Sequence, residues 1–105
     1  MSNRAIRSFE ALLARGKDNA VLRFSLGNEY FKLGDDRLAI GHLERATTLD
    51  PGYSAAWKLL GKARLRTGDA QGAQAAWQRG IEAAEARGDK QAAREMGVFL
   101  RRLTK

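Results

Sequence analysis

The chain contains no cysteine, one proline and one histidine among its 105 residues. Without cysteine it can form neither disulfides nor thiolate metal sites, and a reducing cytoplasm is the compartment expected for it. A single proline and eleven glycines that stand singly give no flexible linker or low-complexity tract. The longest apolar run, Ala11 to Ala14, is too short to cross a bilayer or to act as a secretory core, so we expect no membrane association.

Sequence signals for β-strands and for catalysis are also missing. β-branched residues are sparse, and strict alternation of apolar and polar residues never lasts, which leaves helices as the expected structure. Catalysis or metal binding would need clustered acids, bases or nucleophiles, but His42 stands alone and helix capping explains the pair Asp35 and Asp36. No glycine-rich loop of the phosphate-binding type occurs. We therefore expect no enzymatic activity, no cofactor and no metal.

Positive charge is what the sequence has in excess. Nineteen lysine and arginine residues stand against 12 aspartate and glutamate residues, which gives a net charge of +7. The excess is uneven, because residues 20–53 carry four bases and five acids, whereas most of the surplus lies from residue 54 onward. A basic second half of this kind favours acidic partners.

Apolar residues recur at helical spacing through the whole chain, and turn residues interrupt them at regular places. Gly34, Gly68 and Gly88 can end helices in the left-handed conformation, and the aspartate after each of them can cap the next helix. The segments 18–19 and 50–52 supply the remaining breaks. The sequence thus predicts six helices, over residues 3–15, 20–33, 36–49, 54–67, 70–86 and 89–104.

The ten residues LGNEYFKLGD, at 26–35, are echoed 34 residues later by LGKARLRTGD. A period of this length indicates pairs of antiparallel helices, each of which can bury its apolar face only against a neighbouring pair. Glycine inside a helix costs about 1 kcal/mol relative to alanine. The recurrence of Gly27 as Gly61 therefore predicts close contacts between helices, with Ala39 and Ala73 as the expected small partners.

This pattern resembles the tetratricopeptide repeat (TPR) family. In a first repeat at 20–53 the family's characteristic positions match Leu26, Gly27, Tyr30, Ala39, Leu43, Ala46 and Pro51. In a second repeat at 54–87 they match Trp57, Leu60, Gly61, Ala73 and Trp77. The second repeat departs from the family pattern at Arg64, Gly80 and Glu85.

The resemblance implies an all-α protein in which helix-turn-helix repeats stack as a short right-handed α-solenoid. It implies a small stand-alone member with one domain over 1–105, divided into an N-terminal half repeat at 3–15, TPR 1 at 20–53, TPR 2 at 54–87 and a capping helix at 89–104. In the family, the first helix of each repeat lines a concave groove. The groove residues implied here are Phe24, Asn28, Phe31, Lys32, Lys58, Lys62, Leu65 and Arg66.

Three of these residues form a basic stripe, because Lys58, Lys62 and Arg66 follow one another at four-residue spacing on one helix. The stripe is either a binding wall or a solvated face, and the helix dipole favours only its last member. Asn28 coincides with an asparagine that chaperone-binding members use to hold a peptide carboxylate. Phe24 and Lys62 depart from that clamp, so the resemblance does not extend to binding of chaperone tails.

Together the resemblance and the stripe predict a non-catalytic adaptor that binds a peptide segment, acidic and partly apolar, of an unidentified protein partner. Phe24 and Phe31 would contact apolar side chains, while the basic stripe would pair with carboxylates. Two alternatives stay open. One is nucleic-acid binding through the basic second half, which the acidic first repeat disfavours. The other is a structural or assembly role by self-association through the terminal helices. The expected oligomeric state is a monomer or a weak homodimer.

Overall fold

The computed structural model describes residues 3–105, which form six α-helices joined by short turns. The helices span Arg4–Ala14 (α1), Ala20–Leu33 (α2), Asp36–Leu49 (α3), Ser54–Arg66 (α4), Ala70–Ala86 (α5) and Lys90–Leu103 (α6). The all-α class and the number of helices are as predicted, and each predicted boundary lies within one residue of the observed one.

The ends of the helices are set by the capping residues that the sequence indicates. The carboxylates of Asp35, Asp69 and Asp89 accept hydrogen bonds from backbone N–H groups in the first turns of α3, α5 and α6, at 3.2, 2.8 and 3.0 Å. The glycine before each aspartate has a positive φ, of 84°, 87° and 74° in chain order. A residue with a side chain is strained at such a φ, so these glycines fix where each connection turns.

The six helices form a curved row. Each packs mainly against its neighbours in the sequence, and in addition α2 contacts α4 and α4 contacts α6. Among residues 3–105 no corresponding contact joins α1, α3 and α5 to one another. Because one set of alternate helices touches while the other is splayed apart, the row bends towards α2, α4 and α6. These three helices line its concave side.

Two apolar clusters hold the row together. The first lies between the two repeats and includes Leu43, Trp57 and Leu60, while the second joins α5 to α6 through Trp77 and Met96. Trp57 is 8% exposed and Trp77 2% exposed, so both tryptophans pack in the core. The indole N–H of Trp77 donates to the backbone oxygen of Lys58 at 3.0 Å, so its polar atom is also satisfied.

The two mid-helix glycines make room for large side chains. A β-carbon on Gly27 would stand 2.6 Å from Cγ of Leu43, and one on Gly61 would stand 2.6 Å from Cδ1 of Trp77. The expectation of small alanine partners is therefore wrong. At Gly27 the Leu43 side chain, one turn after Ala39, fills the space, and the carbonyl oxygen of Ala39 lies farther away, at 3.4 Å.

None of the described helices is long and apolar enough to cross a membrane. Among residues 3–105, histidine, aspartate and glutamate side chains do not come together in groups of three that could hold a metal ion.

A polar network attaches α1 to the first repeat. The Tyr30 hydroxyl donates to the Glu10 carboxylate of α1, and this bond raises the pKa of Tyr30 to about 12. The Tyr30 ring stacks parallel to His42 with 5.6 Å between centroids. The Arg23 guanidinium contacts both His42 and Asp18. One of its terminal nitrogens lies 3.1 Å from Nδ1 of His42, and its Nε lies 2.8 Å from the Asp18 carboxylate. Burial, reinforced by the Arg23 charge, holds the pKa of His42 below its ordinary value.

The lowered pKa of His42 predicts that mild acid destabilises the fold. Glu10 and Asp18 face the ring and oppose the shift, but burial and Arg23 outweigh them. Between the lowered pKa of the folded state and the ordinary value of 6.5, His42 binds more protons in the unfolded chain than in the folded one. The free energy of unfolding therefore falls as the pH drops through that window. We expect a lower urea midpoint at about pH 5.5 than at about pH 7.5, and a smaller difference in His42→Gln. Equal pH dependence in the two proteins would contradict this assignment.

Candidate functional site

The predicted groove residues lie on α2 and α4, two of the three helices on the concave side. A pocket of about 570 Å³ opens on this side and reaches α6. Its apolar lining consists of Phe31, Leu65, Trp77, Phe99 and Leu103. Its charged lining consists of Lys62, Arg66 and Arg102, and no acidic side chain is among the lining residues.

The structure brings four of the eight predicted site residues together in this pocket: Phe31, Lys62, Leu65 and Arg66. Leu65 is 43% exposed although it is a large aliphatic side chain on the concave side. An exposed leucine beside two phenylalanines makes an apolar surface that a ligand could cover.

The remaining predicted residues of α2 do not line the pocket. The Phe24 ring packs against Tyr53 with 5.1 Å between centroids. Lys32 pairs with Glu29 along its own helix, at 2.9 Å. Asn28 is partly buried and does not line the pocket. Of the predicted groove residues on α2, only Phe31 therefore lines the pocket.

Lys58 forms an ion pair with another residue of the protein. Its ammonium nitrogen lies 2.8 Å from a carboxylate oxygen of Glu95 on α6, and both side chains are partly buried. The hydrogen bond from Lys58 lowers the pKa of Glu95, so this carboxylate is charged at neutral pH. Lys58 lies with Asp89 and Glu95 in a separate, more polar depression at the beginning of α4 and α6.

Arg66 is also held in place, at the other end of α4. Its guanidinium carbon stands 3.6 Å from the centroid of the Phe31 ring, a cation–π contact. Its Nε donates to Asp36 at 2.9 Å, and its terminal nitrogen donates to the backbone oxygen of Phe31 at 2.7 Å. Arg66 thereby fixes the ring that forms one wall of the pocket.

Lys62 differs from both of these cations. It forms no ion pair among residues 3–105, and its ammonium nitrogen lies 5.2 Å from the centre of the Phe99 ring. The three cations of the predicted stripe are therefore not equivalent. Lys58 pairs with Glu95 of α6, Arg66 holds Phe31, and Lys62 is exposed to solvent.

Sequence reasoning missed the contribution of α6, which supplies Phe99, Arg102 and Leu103. The sequence does contain a signal for the contribution of Phe99. Phe31, Leu65 and Phe99 follow one another at intervals of 34 residues. Extending the period into the last helix would have placed Phe99 beside the other two. Trp77, which is buried in the core, also lines the pocket.

The sequence matches the model of the tetratricopeptide repeat family twice, over residues 2–53 and 24–89. It is also similar to the TPR repeat-containing protein PA0015 of Pseudomonas aeruginosa. The two share 54% identity over 98 residues, which make up 93% of each chain.

Solved structures with the same arrangement of helices include protein BPP2914 from Bordetella parapertussis. That protein is 47% identical, with a TM-score of 0.81 over 94% of this chain and 86% of its own. The fold is also that of PcrH, a protein known from Pseudomonas aeruginosa, in a complex with the chaperone binding region of PopD. The TM-score for the complex is 0.91 at 21% identity, over 97% of this chain and 77% of that one. The repeated family match and the 54% identical relative establish that the chain belongs to the tetratricopeptide repeat family.

Proposed function

We propose that this protein is a non-catalytic adaptor whose concave pocket binds an acidic, partly apolar peptide segment of a partner protein. Its fold is that of a protein-interaction module, and the pocket supports the finer chemistry. The observation that carries the proposal is the composition of the pocket lining, in which five apolar side chains adjoin three cations and no acid.

Charge complementarity selects the kind of occupant. A basic peptide would meet Lys62, Arg66 and Arg102 without any carboxylate in the lining, and like charges brought together across an interface oppose binding. A wholly apolar segment would bury Lys62 and Arg102 without a carboxylate partner, which is costly. A segment that alternates carboxylates with large apolar side chains satisfies both halves of the lining.

The shape of the site is compatible with an extended or helical segment. The concave side is built from three helices side by side, so a ligand can contact α2, α4 and α6 in succession. The PcrH complex shows that the same fold can hold a segment of another protein. For the present chain, the apolar contacts with Phe99 and Leu65 would supply most of the affinity, and the cations would supply selectivity.

A displayed library of short random peptides tests the proposal directly, because the selection does not require the partner to be identified. We expect selection on the wild-type protein to enrich peptides that combine aspartate or glutamate with leucine or phenylalanine. Phe99→Ala, which removes apolar lining, should enrich this class weakly, whereas Gly41→Ala on the exposed face of α3 should behave as wild type. Enrichment of basic peptides, or of none, would contradict the proposal.

Nucleic-acid binding is not expected, although α6 carries a second group of cations. Lys90, Arg94 and Arg101 are exposed and lie on the side of α6 away from the buried Met96. Single strands bind where aromatic rings stand beside cations, an arrangement that occurs in the pocket rather than around these three cations. The first repeat, with five acids and four bases over 20–53, interrupts the continuous basic track that a phosphate backbone needs. We predict no sequence-independent binding of single-stranded DNA or RNA at about 0.15 M salt. A micromolar complex with a steep salt dependence would favour the alternative.

A further inference from the structure

We infer that carboxylates of the ligand are recognised by Lys62 and Arg102, on the neighbouring helices α4 and α6, whereas Lys58 with Glu95 only positions α6. This inference rests on the proposed function and assigns the residues that decide its specificity. It divides a stripe of lysines that looks uniform in sequence into a binding residue and a positioning residue.

The ion pairs of the protein decide which cations remain for a ligand. Lys58 would have to give up its 2.8 Å contact with Glu95 before it could meet a ligand carboxylate. Arg66 would have to leave both Asp36 and the face of the Phe31 ring. Each exchange replaces one ion pair with another, so neither cation gains much from an acidic ligand.

Lys62 and Arg102 have less to give up, because the Lys62 ammonium group contacts the Phe99 ring, at 5.2 Å, rather than a carboxylate. Neither forms an ion pair with a carboxylate in the part of the chain that the structure describes, both are exposed, and both line the same pocket. A lysine and an arginine on neighbouring helices can each donate to one oxygen of a carboxylate, or to two successive carboxylates of an acidic segment. Binding there would join α4 to α6 through the ligand.

The surroundings of these two cations define the ligand further. The ammonium group of Lys62 stands 5.2 Å from the centre of the Phe99 ring, and Leu103 is the residue next to Arg102. A ligand carboxylate at this point therefore lies beside apolar surface. The chemistry fits an acidic residue adjacent in space to a leucine-sized or phenylalanine-sized side chain.

The pair Lys58 and Glu95 has the geometry of a positioning device. α6 packs mainly on α5, where Met96 fits against Gly80, and it contacts α4 less extensively. The ion pair ties α6 to α4 near the beginning of both helices, whereas the pocket lies towards their ends. Loss of the pair would let α6 shift relative to α4 and would change the spacing of Lys62 and Arg102.

Charge reversal and charge exchange separate the two roles. In the absence of any ligand, Lys58→Glu and Glu95→Lys should each lower Tm, and the double exchange should recover most of that loss because the pair is re-formed with opposite polarity. The exchanged protein should also retain the preference of the wild type for acidic peptides in the library selection. If Lys58 touched ligand carboxylates directly, the exchanged protein would lose that preference even though its Tm recovered.

The anion site is tested with Lys62→Glu combined with Arg102→Glu. The probe is the fluorescein-labelled acidic peptide that selection on the wild-type protein enriches most. We expect at least about tenfold weaker binding of this peptide, and a second selection on the variant that no longer enriches acidic sequences. Arg94→Glu combined with Arg101→Glu makes the same change of net charge on the outer face of α6, and it should leave binding within about twofold of wild type.

The possible results distinguish a failure of the anion site from a failure of the proposed function. If the wild type enriches acidic peptides but the reversal at Lys62 and Arg102 binds them unchanged, the anion site is wrong and the proposed function stands. If both reversals weaken binding equally, net charge rather than a site governs binding, and the assignment is also wrong. If the wild type enriches no acidic peptide, the proposed function fails and this inference falls with it.

Discussion

A chain that ends at Gly88, and so lacks α6, is expected to lose several kcal/mol of unfolding free energy, the scale of losing core side chains. Met96 is fully buried, and it forms a single apolar cluster with Trp77 and Ala84 of α5. Without α6 this face of α5 would be exposed to water. Urea denaturation should show a lower midpoint, and a dye that binds apolar surface should fluoresce with the truncated chain.

Two control proteins show whether the loss of stability comes from the packing of α6. A chain that ends at Leu103 removes only the residues after α6 and should unfold as the full chain does. Met96→Ala keeps the helix but empties its most buried position, and it should cost about 2–5 kcal/mol. A chain ending at Gly88 that unfolds at the same urea concentration, binds no dye and stays monomeric would show that α6 is not part of the core.

Gly61→Ala is expected to destabilise the fold by about 1–3 kcal/mol, although alanine is the better helix former. The added methyl group would stand 2.6 Å from Cδ1 of Trp77, so the indole ring would have to move. Movement would weaken the 3.0 Å hydrogen bond from the indole to Lys58 and would disturb packing on both sides of the ring. Denaturant unfolding followed by circular dichroism measures the change.

The matched substitution is Gly41→Ala in α3. Nothing lies within 4 Å of a β-carbon at Gly41, and the residue is exposed, so the helix propensity of alanine should act alone. We expect a gain of up to about 1 kcal/mol there. Opposite signs for the two substitutions would confirm that Gly61 serves the packing of Trp77. A stabilising Gly61→Ala would show that the ring can move aside without loss.

The architecture was readable from the sequence because it depends on local and periodic signals. A glycine at positive φ followed by a capping aspartate marks three of the connections, and this pair of signals is independent of tertiary structure. The 34-residue period then implies which helices stack. The sequence did not predict which side chain fills the space above Gly27 and Gly61, since the facing helices α3 and α5 each carry both alanines and larger apolar residues.

Only half of the site could be predicted from the sequence, because cations on one helix look alike until their partners are known. Lys58 meets Glu95, 37 residues away, and Arg66 meets Asp36, 30 residues away. No helical spacing connects such residues, so the sequence predicted one uniform stripe. The contribution of α6 was missed for a related reason. α6 begins 36 residues after α4, and this offset at its start obscures the 34-residue period that Phe99 keeps.

The most direct measurement is chemical-shift mapping by NMR, with the isotope-labelled protein titrated with the acidic peptide selected on the wild type. Binding in the concave pocket predicts the largest backbone and side-chain shifts at Phe31, Lys62, Leu65 and Phe99, with small shifts in α1 and α3. Saturation at a stoichiometry of one peptide per protein is also expected. Shifts centred on α1 and α3, or confined to the outer cations of α6, would contradict recognition of an acidic, partly apolar segment by this pocket.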